Sequence, residues 1–130
     1  MSDLEYETHD RIVNLQSRIK NMSGDIVLVG DIMLDQYIHG YANNLNSRAP
    51  VPVLKETHRH EDVGAAAHVA RGLENIGLDA ILFGVVGDDL PGESIIQSLV
   101  EEEVECDGIA IIEGRTTTVK TRLIAGREYL

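Results

Sequence analysis

The chain has 130 residues, about one small domain on a scale of roughly 100–200 residues per domain. Hydrophobic residues make up 43% and charged residues 25%, which excludes long disorder and low-complexity structure. Eleven basic residues face 22 acidic ones, and the net charge of −11 argues against a nucleic-acid or anionic-membrane partner, both of which need a basic face. In chain order, Leu4, Ile12, Leu15, Ile19 and Met22 fall near helical spacing and predict a helix over 4–22, stopped at 21–24. Residues 25–30, Asp-Ile-Val-Leu-Val-Gly, read as a short strand, apolar on both faces and so suited to burial in a parallel sheet. Residues 37–41 and 51–56 are strand-like, but the polar stretch at 43–52 carries two prolines. Proline removes a ladder donor, so these are edge strands or an excursion from the sheet.

Residues 64–77 predict a helix whose first turns are Gly and Ala, so something approaches its N-terminus closely. Gly77 suits the position just past its end. A second buried strand follows at 80–86. After a turn at 87–92, Pro91 opens a helix that runs to about residue 103. Residues 109–112 and 117–125 are further strands. The alternation of strand and helix predicts an α/β domain with a parallel sheet.

The longest apolar runs, 26–29 and 80–83, fall far short of the roughly 20 residues that span a bilayer. The N-terminus is acidic where a secretory signal is basic and then apolar. Cys106 is the single cysteine and cannot form an internal disulfide, which fits a reducing compartment. A cytoplasmic location is the expectation.

Three stretches carry candidate chemistry. Gly30-Asp31-Ile32-Met33-Leu34-Asp35 follows the first strand, and ligands of open α/β sheets bind beyond carboxyl strand ends. A carboxylate there accepts hydrogen bonds from sugar hydroxyls. Asp35 is the ligand candidate, with solvation as the alternative, and Asp31 is read as the turn cap. A phosphatase-type nucleophile loop needs its second aspartate where Met33 stands. Val63-Gly64-Ala65-Ala66-Ala67-His68 lets a ligand sit against backbone N–H groups, although tight helix packing selects the same small residues. It is not the glycine fingerprint of a dinucleotide site. Thr118, Lys120 and Arg122 share one strand face, and two cations with a hydroxyl suit a phosphate or a polyhydroxylated substrate. His58 and His60 also share a face, without the carboxylate that a metal site needs.

Val-Gly-Asp-Ile-Met-Leu-Asp at 29–35, Ala-Pro-Val-Pro-Val at 49–53, Gly-Ala-Ala-Ala-His-Val-Ala at 64–70, Gly-Val-Val-Gly-Asp-Asp at 84–89 and Thr-Thr-Val-Lys-Thr-Arg at 117–122 resemble the ribokinase (PfkB) family of carbohydrate kinases. Within it they are most similar to the heptose-phosphate kinases. The resemblance implies a ribokinase-like α/β fold: a parallel-sheet sandwich with a small β lid, whose strands lie near 36–56 and 117–125. It makes residues 1–24 a helical extension and 25–130 the N-terminal part of a kinase domain. It implies ATP-dependent phosphorylation of a sugar or sugar phosphate, with Mg2+. Asp35 would hold sugar hydroxyls, and Gly64 and Ala65 would line the sugar site with His68. Lys120 and Arg122 would contact the substrate. A homodimer through the lid is a further expectation. The chain departs from the family pattern at Ala65 (usually Gly), His68 (usually Asn) and Arg48 (usually acidic). The family's catalytic Gly-Ala-Gly-Asp motif belongs to its C-terminal half and has no match here. The alternative is a non-catalytic sugar-binding or dimerisation module.

Overall fold

The computed structural model describes residues 3–21, 25–126 and 128–129. Its elements run α1 (Asp3–Lys20), β1 (Ile26–Val29), β2 (Ile32–Leu45), β3 (Pro52–Ala65), α2 (Ala66–Asn75), β4 (Ala80–Gly87), α3 (Leu90–Glu101), β5 (Ile109–Ile112), β6 (Thr118–Ala125) and β7 (Glu128–Tyr129). They form two sheets. The body sheet is parallel with order β1-β4-β5, and the second is mixed with order β3-β2-β6-β7. The α/β architecture and the separate small sheet are those the sequence predicts. Helix α1 matches its expectation to within two residues. Met22–Gly24, where its stop was placed, lie outside the described residues.

The strand order of the body sheet advances in one direction. Right-handed crossovers then place α2 and α3 on the same face. There Ala67 and Ala70 of α2 and Ile95 and Leu99 of α3 pack with Ala80, Leu82 and Val86 of β4. The small residues of α2 let the helix approach the sheet, and Leu82, Ile95 and Leu99 are fully buried. The opposite face differs from expectation. Val27 and Val29 of β1 are 60% and 81% exposed, and Phe83 and Val85 of β4 are exposed beside them. Described residues therefore cover this sheet on one face only, and the apolar-on-both-faces pattern of β1 outruns the cover they supply.

The second sheet differs more from its sequence expectation. Its first two strands are 14 residues each, where the sequence suggested about five. They pair antiparallel from Ile32↔Ala65 to Leu45↔Pro52, with register shifts at His39/Gly40 and Tyr41/Asn44. Ile32, Leu34 and Val63 at the base turn one face into the core. Beyond them the strands leave the body with polar residues on both faces. Strand β6 joins β2 in parallel, from Met33↔Thr118 to Gly40↔Ala125. This sheet is the β lid of the predicted fold.

A buried knot ties lid to body. The Asp89 carboxylate caps α3 by accepting from Gly92 N at 3.0 Å, and it also accepts from Thr117 N at 2.8 Å and Thr117 Oγ1 at 2.6 Å. Thr117 Oγ1 in turn accepts from Gly87 N at 2.8 Å. A Cβ on Gly87 would stand 2.1 Å from the Arg115 carbonyl oxygen, so only glycine lets the chain pass there. Three hydrogen bonds hold the Asp89 carboxyl below its usual range, the Thr117 hydroxyl contributing most.

Candidate functional site

Asp35 lies within β2, four residues into the strand, and not in a loop after β1 as its sequence position suggests. The register places it between Asp62 of β3 and Lys120 of β6. In paired strands, side chains of register partners share a face. One face of the lid therefore carries Met33, Asp35, Tyr37 and His39 beside Gly64, Asp62, His60 and His58, and on the other flank Thr118, Lys120 and Arg122.

Two cations converge on one oxygen of Asp35. Arg122 Nη1 donates to Oδ1 at 2.9 Å, and Lys120 Nζ lies 3.2 Å from the same atom. The Asp35 side chain is 16% exposed and that of Lys120 is 51% exposed, so the pair opens from a sheltered carboxylate to a reachable ammonium. The guanidinium of Arg122 also lies over the Tyr37 ring, 4.9 Å from its centroid. Oδ2 points the other way, toward Gly64: a Cβ there would stand 2.8 Å from Asp35 Oδ2 and 2.9 Å from Met33 Cγ. The strand can run under the carboxylate only because residue 64 has no side chain. The structure thus brings together Asp35, Gly64, Lys120 and Arg122, four of the six residues the sequence singled out.

Ala65 is the next residue and ends β3. Helix α2 starts at Ala66, two residues later than predicted, because Gly64 and Ala65 still pair with Met33 and Ile32. The Ala66 N–H is taken by the Asp31 carbonyl at 3.0 Å. It is thus the backbone of Asp31, not its exposed carboxylate, that closes this junction. Ala65 itself has φ 54° and ψ −126°, a conformation suited to glycine.

His68 goes elsewhere. It is exposed on α2, and its Nδ1 lies 2.9 Å from Arg71 Nη2. Arginine only donates, so Nδ1 is the acceptor in this contact. Arg71 also binds both oxygens of Asp62 and reaches Glu102 Oε1 at 3.4 Å. This cluster ties β3, α2 and the end of α3 together. The Arg71 hydrogen bonds hold the Asp62 carboxyl below its usual range and push the guanidinium up. Sequence reasoning gave no role to Asp62, Arg71, Asp89 or Thr117. Asp89 and Thr117 fell inside the motifs at 84–89 and 117–122, and Asp89 also stands two residues before Pro91, the start signal of a helix. A groove of about 670 Å³ along the start of α3, lined among others by Asp88, Asp89, Glu93 and Ile111, holds none of the predicted site residues.

Sequence and structure comparisons decide the family. Residues 23–129 match the model of the pfkB family carbohydrate kinases. The chain belongs to the pfkB family. It is 40% identical over 105 residues to the bifunctional protein HldE of Helicobacter pylori (strain ATCC 700392 / 26695), covering 81% of this chain and 23% of that protein. It is 36% identical over 106 residues to the HldE protein of Hyphomonas neptunium, covering 81% of this chain and 22% of that one. The chain therefore spans under a quarter of the length of these curated relatives. The fold matches an Arabidopsis thaliana ribokinase complexed with ribose and ATP, at a TM-score of 0.69 and 16% identity, covering 84% of this chain and 35% of the ribokinase. A Halothermothrix orenii fructokinase matches at a TM-score of 0.60 and 27% identity, covering 77% of this chain and 34% of the fructokinase. The ribokinase-like fold read from five short motifs is the fold observed. No described helix is long and apolar enough to cross a membrane.

Proposed function

We propose that residues 25–130 supply the sugar-binding and lid part of an ATP-dependent carbohydrate kinase of the pfkB family, with residues 1–24 as an extension. The observation that carries this reading is the Asp35 carboxylate seated over Gly64, with Lys120 and Arg122 on its other oxygen. Oδ2 would accept hydrogen bonds from neighbouring hydroxyls of a sugar. Lys120 and Arg122 bring two positive charges against one carboxylate, a local surplus on a chain of net charge −11. That surplus favours a sugar phosphate over a neutral sugar, in line with the sequence resemblance to heptose-phosphate kinases. Ala65 borders the same site. His68 lies one turn along α2 and would act at its rim.

ATP and Mg2+ enter as co-substrate and cofactor through the family. Among the described residues no group of three or more His, Cys, Asp or Glu is placed to hold a metal ion. The family's catalytic Gly-Ala-Gly-Asp motif has no match in these residues, so no step of phosphoryl transfer is assigned to them. Their part is positioning, which supplies much of the rate in such transfers. Tyr41, Leu45, Val51 and Val53 leave an exposed apolar tip on the lid, which supports pairing of two lids in a homodimer.

The test is phosphoryl transfer from ATP with Mg2+ to a panel of sugars and sugar phosphates, by the protein in the length its gene encodes. Asp35→Ala should lower kcat/KM for the sugar roughly 10²-fold or more, since hydrogen bonds to charged groups contribute about 1.5–3 kcal/mol each. The KM for ATP should stay within about twofold, as uniform loss of sugar binding leaves the other substrate alone. Sugar kinetics unchanged by Asp35→Ala in a folded protein would move the sugar site elsewhere.

A further inference from the structure

Three of the chain's five histidines stack on the lid with a tyrosine, on a chain that is only 4% aromatic by Phe, Trp and Tyr. The register pairs Tyr37 with His60 and His39 with His58. Tyr37 and His60 lie 4.6 Å apart between ring centroids and 4° from parallel, and His39 and His58 4.3 Å apart and 8° from parallel. His39 and His60 close the ladder at 5.3 Å. His39 Nε2 is buried and has no hydrogen-bond partner. The ladder adjoins the register shift at His39/Gly40, where the backbone pairing of β2 and β3 is interrupted.

We propose that this ladder is a proton-sensitive latch on the lid: with neutral imidazoles it holds β2 against β3, and in mild acid a proton taken up at His39 parts the stack and loosens the distal lid. The charges around it all favour that outcome. From β3, His58 and His60 face His39, and a second proton on either adds repulsion. From β6, Ile124 stands opposite His39, while the Arg122 cation lies on Tyr37 and Lys120 lies toward the base. The two carboxylates of this face are already engaged, Asp35 by Lys120 and Arg122, and Asp62 by Arg71. The ion pair Arg59–Glu56 and the bond from Gln36 to Glu61 join partners on the opposite face. Strand β7 borders β6 and not β2. Thr57 Oγ1 donates to the His39 carbonyl at 3.1 Å and lies 3.4 Å from His58 Nδ1, so it serves the ladder's ends and not Nε2.

Burial, with His58 and His60 beside it, holds His39 below the ordinary histidine range. A parted His39 regains an ordinary pKa of about 6.5. Parted lids then bind more protons, so lid order is complete above about pH 6.5 and is lost as the pH falls below it. The consequence for Asp35, on the same strand, rests on the sugar-site reading. The latch itself does not, and the experiment reads the lid without a sugar.

Amide hydrogen exchange of the whole chain, followed by NMR at pH 7.5 and 5.5 and corrected for intrinsic rates, tests it. Protection at residues 38–41 and 57–59 should fall by roughly threefold or more relative to β4 on acidification. His39→Phe keeps a ring in the stack and removes the proton, and should abolish that fall. An equal fall in His39→Phe, or none in the wild type, overturns the latch. An imidazole NMR titration of the wild-type chain decides it independently of any variant. His39 must titrate below the ordinary value, and a midpoint at or above about 6.5 refutes the proposal.

Discussion

The body sheet and the lid sheet reach order by different routes. The body uses strands of four to eight residues, packed by Leu82, Val86, Ile95 and Leu99 with almost no exposure. The lid uses 14-residue strands that expose most of β3 and bury only Ile32, Leu34, Gly40, Val63 and Gly64. Its order comes from the backbone ladder and from cross-strand pairs such as Gln36–Glu61 and Tyr37–His60. Burial buys the body a rigid frame, while the lid keeps most of its polar side chains exposed. The candidate chemistry sits on the lid, at the base where the frame still holds it.

That contrast predicts unequal responses to truncation. Leu82→Ala in β4 removes a fully buried side chain and should cost about 2–5 kcal/mol. Gln36→Ala on the lid loses two exposed hydrogen bonds, to Glu61 at 2.8 Å and from Thr121 at 3.3 Å, and should stay within about 0.5 kcal/mol. Urea titrations of the two variants measure both. Equal costs would mean that the lid, not the body, limits stability.

The same contrast explains what could be read from the sequence. Strands 26–29, 80–87 and 109–112 are continuous apolar runs bounded by glycine or charge, and the expectations for them match to within a residue or two. The lid strands were read as five and six residues long because neither Ala-Asn-Asn-Leu at 42–45 nor the all-polar stretch at 57–62 carries a period-2 apolar signal. Asp35 was read as lying just beyond the end of β1, and the structure puts it four residues into β2, because the turn between the two strands is only Gly30 and Asp31. Lys120 and Arg122 were legible from alternation alone. His68 was not: its partner Arg71 lies one turn along, but Asp62, which fixes Arg71, comes from another element. The Asp89–Thr117 knot joins residues 28 apart and leaves no local pattern.

That knot is one of the places where the two regions are joined, so breaking it should be felt in both. Thr117→Val keeps the shape but leaves the buried Gly87 N–H without its acceptor and removes a donor from Asp89. The expected cost is about 1–3 kcal/mol for an unsatisfied buried group. Hydrogen exchange should show β6 loosening together with the first turn of α3. The pH dependence has a defined sign. Asp89 is held below its ordinary value of about 3.9, so its contribution is present above that pH and is lost as the pH falls through the lowered value. Asp89→Asn should flatten the acid limb of the stability curve. An unchanged acid limb would place the charge-dependent stability elsewhere.

The remaining expected effect is a gain, at the junction of lid and body. Ala65 has φ 54° and ψ −126°, held there by its pairing with Ile32 and by the bond from Ala66 N to the Asp31 carbonyl. A Cβ in such a conformation costs on the order of 1–3 kcal/mol. Glycine adopts it freely but loses about 0.4–1 kcal/mol more through unfolded-chain entropy. Ala65→Gly should therefore stabilise the chain by roughly 1 kcal/mol, read as a higher urea midpoint at unchanged m. The residue is exposed, so the gain cannot come from repacking a core. It also stands beside Gly64, under the Asp35 carboxylate, where a methyl group narrows whatever approaches the start of α2. If the midpoint fell instead, the strain at residue 65 would have to be relieved by contacts of its methyl group. The lid would then be anchored to the body through that side chain as well as through the Asp89–Thr117 knot.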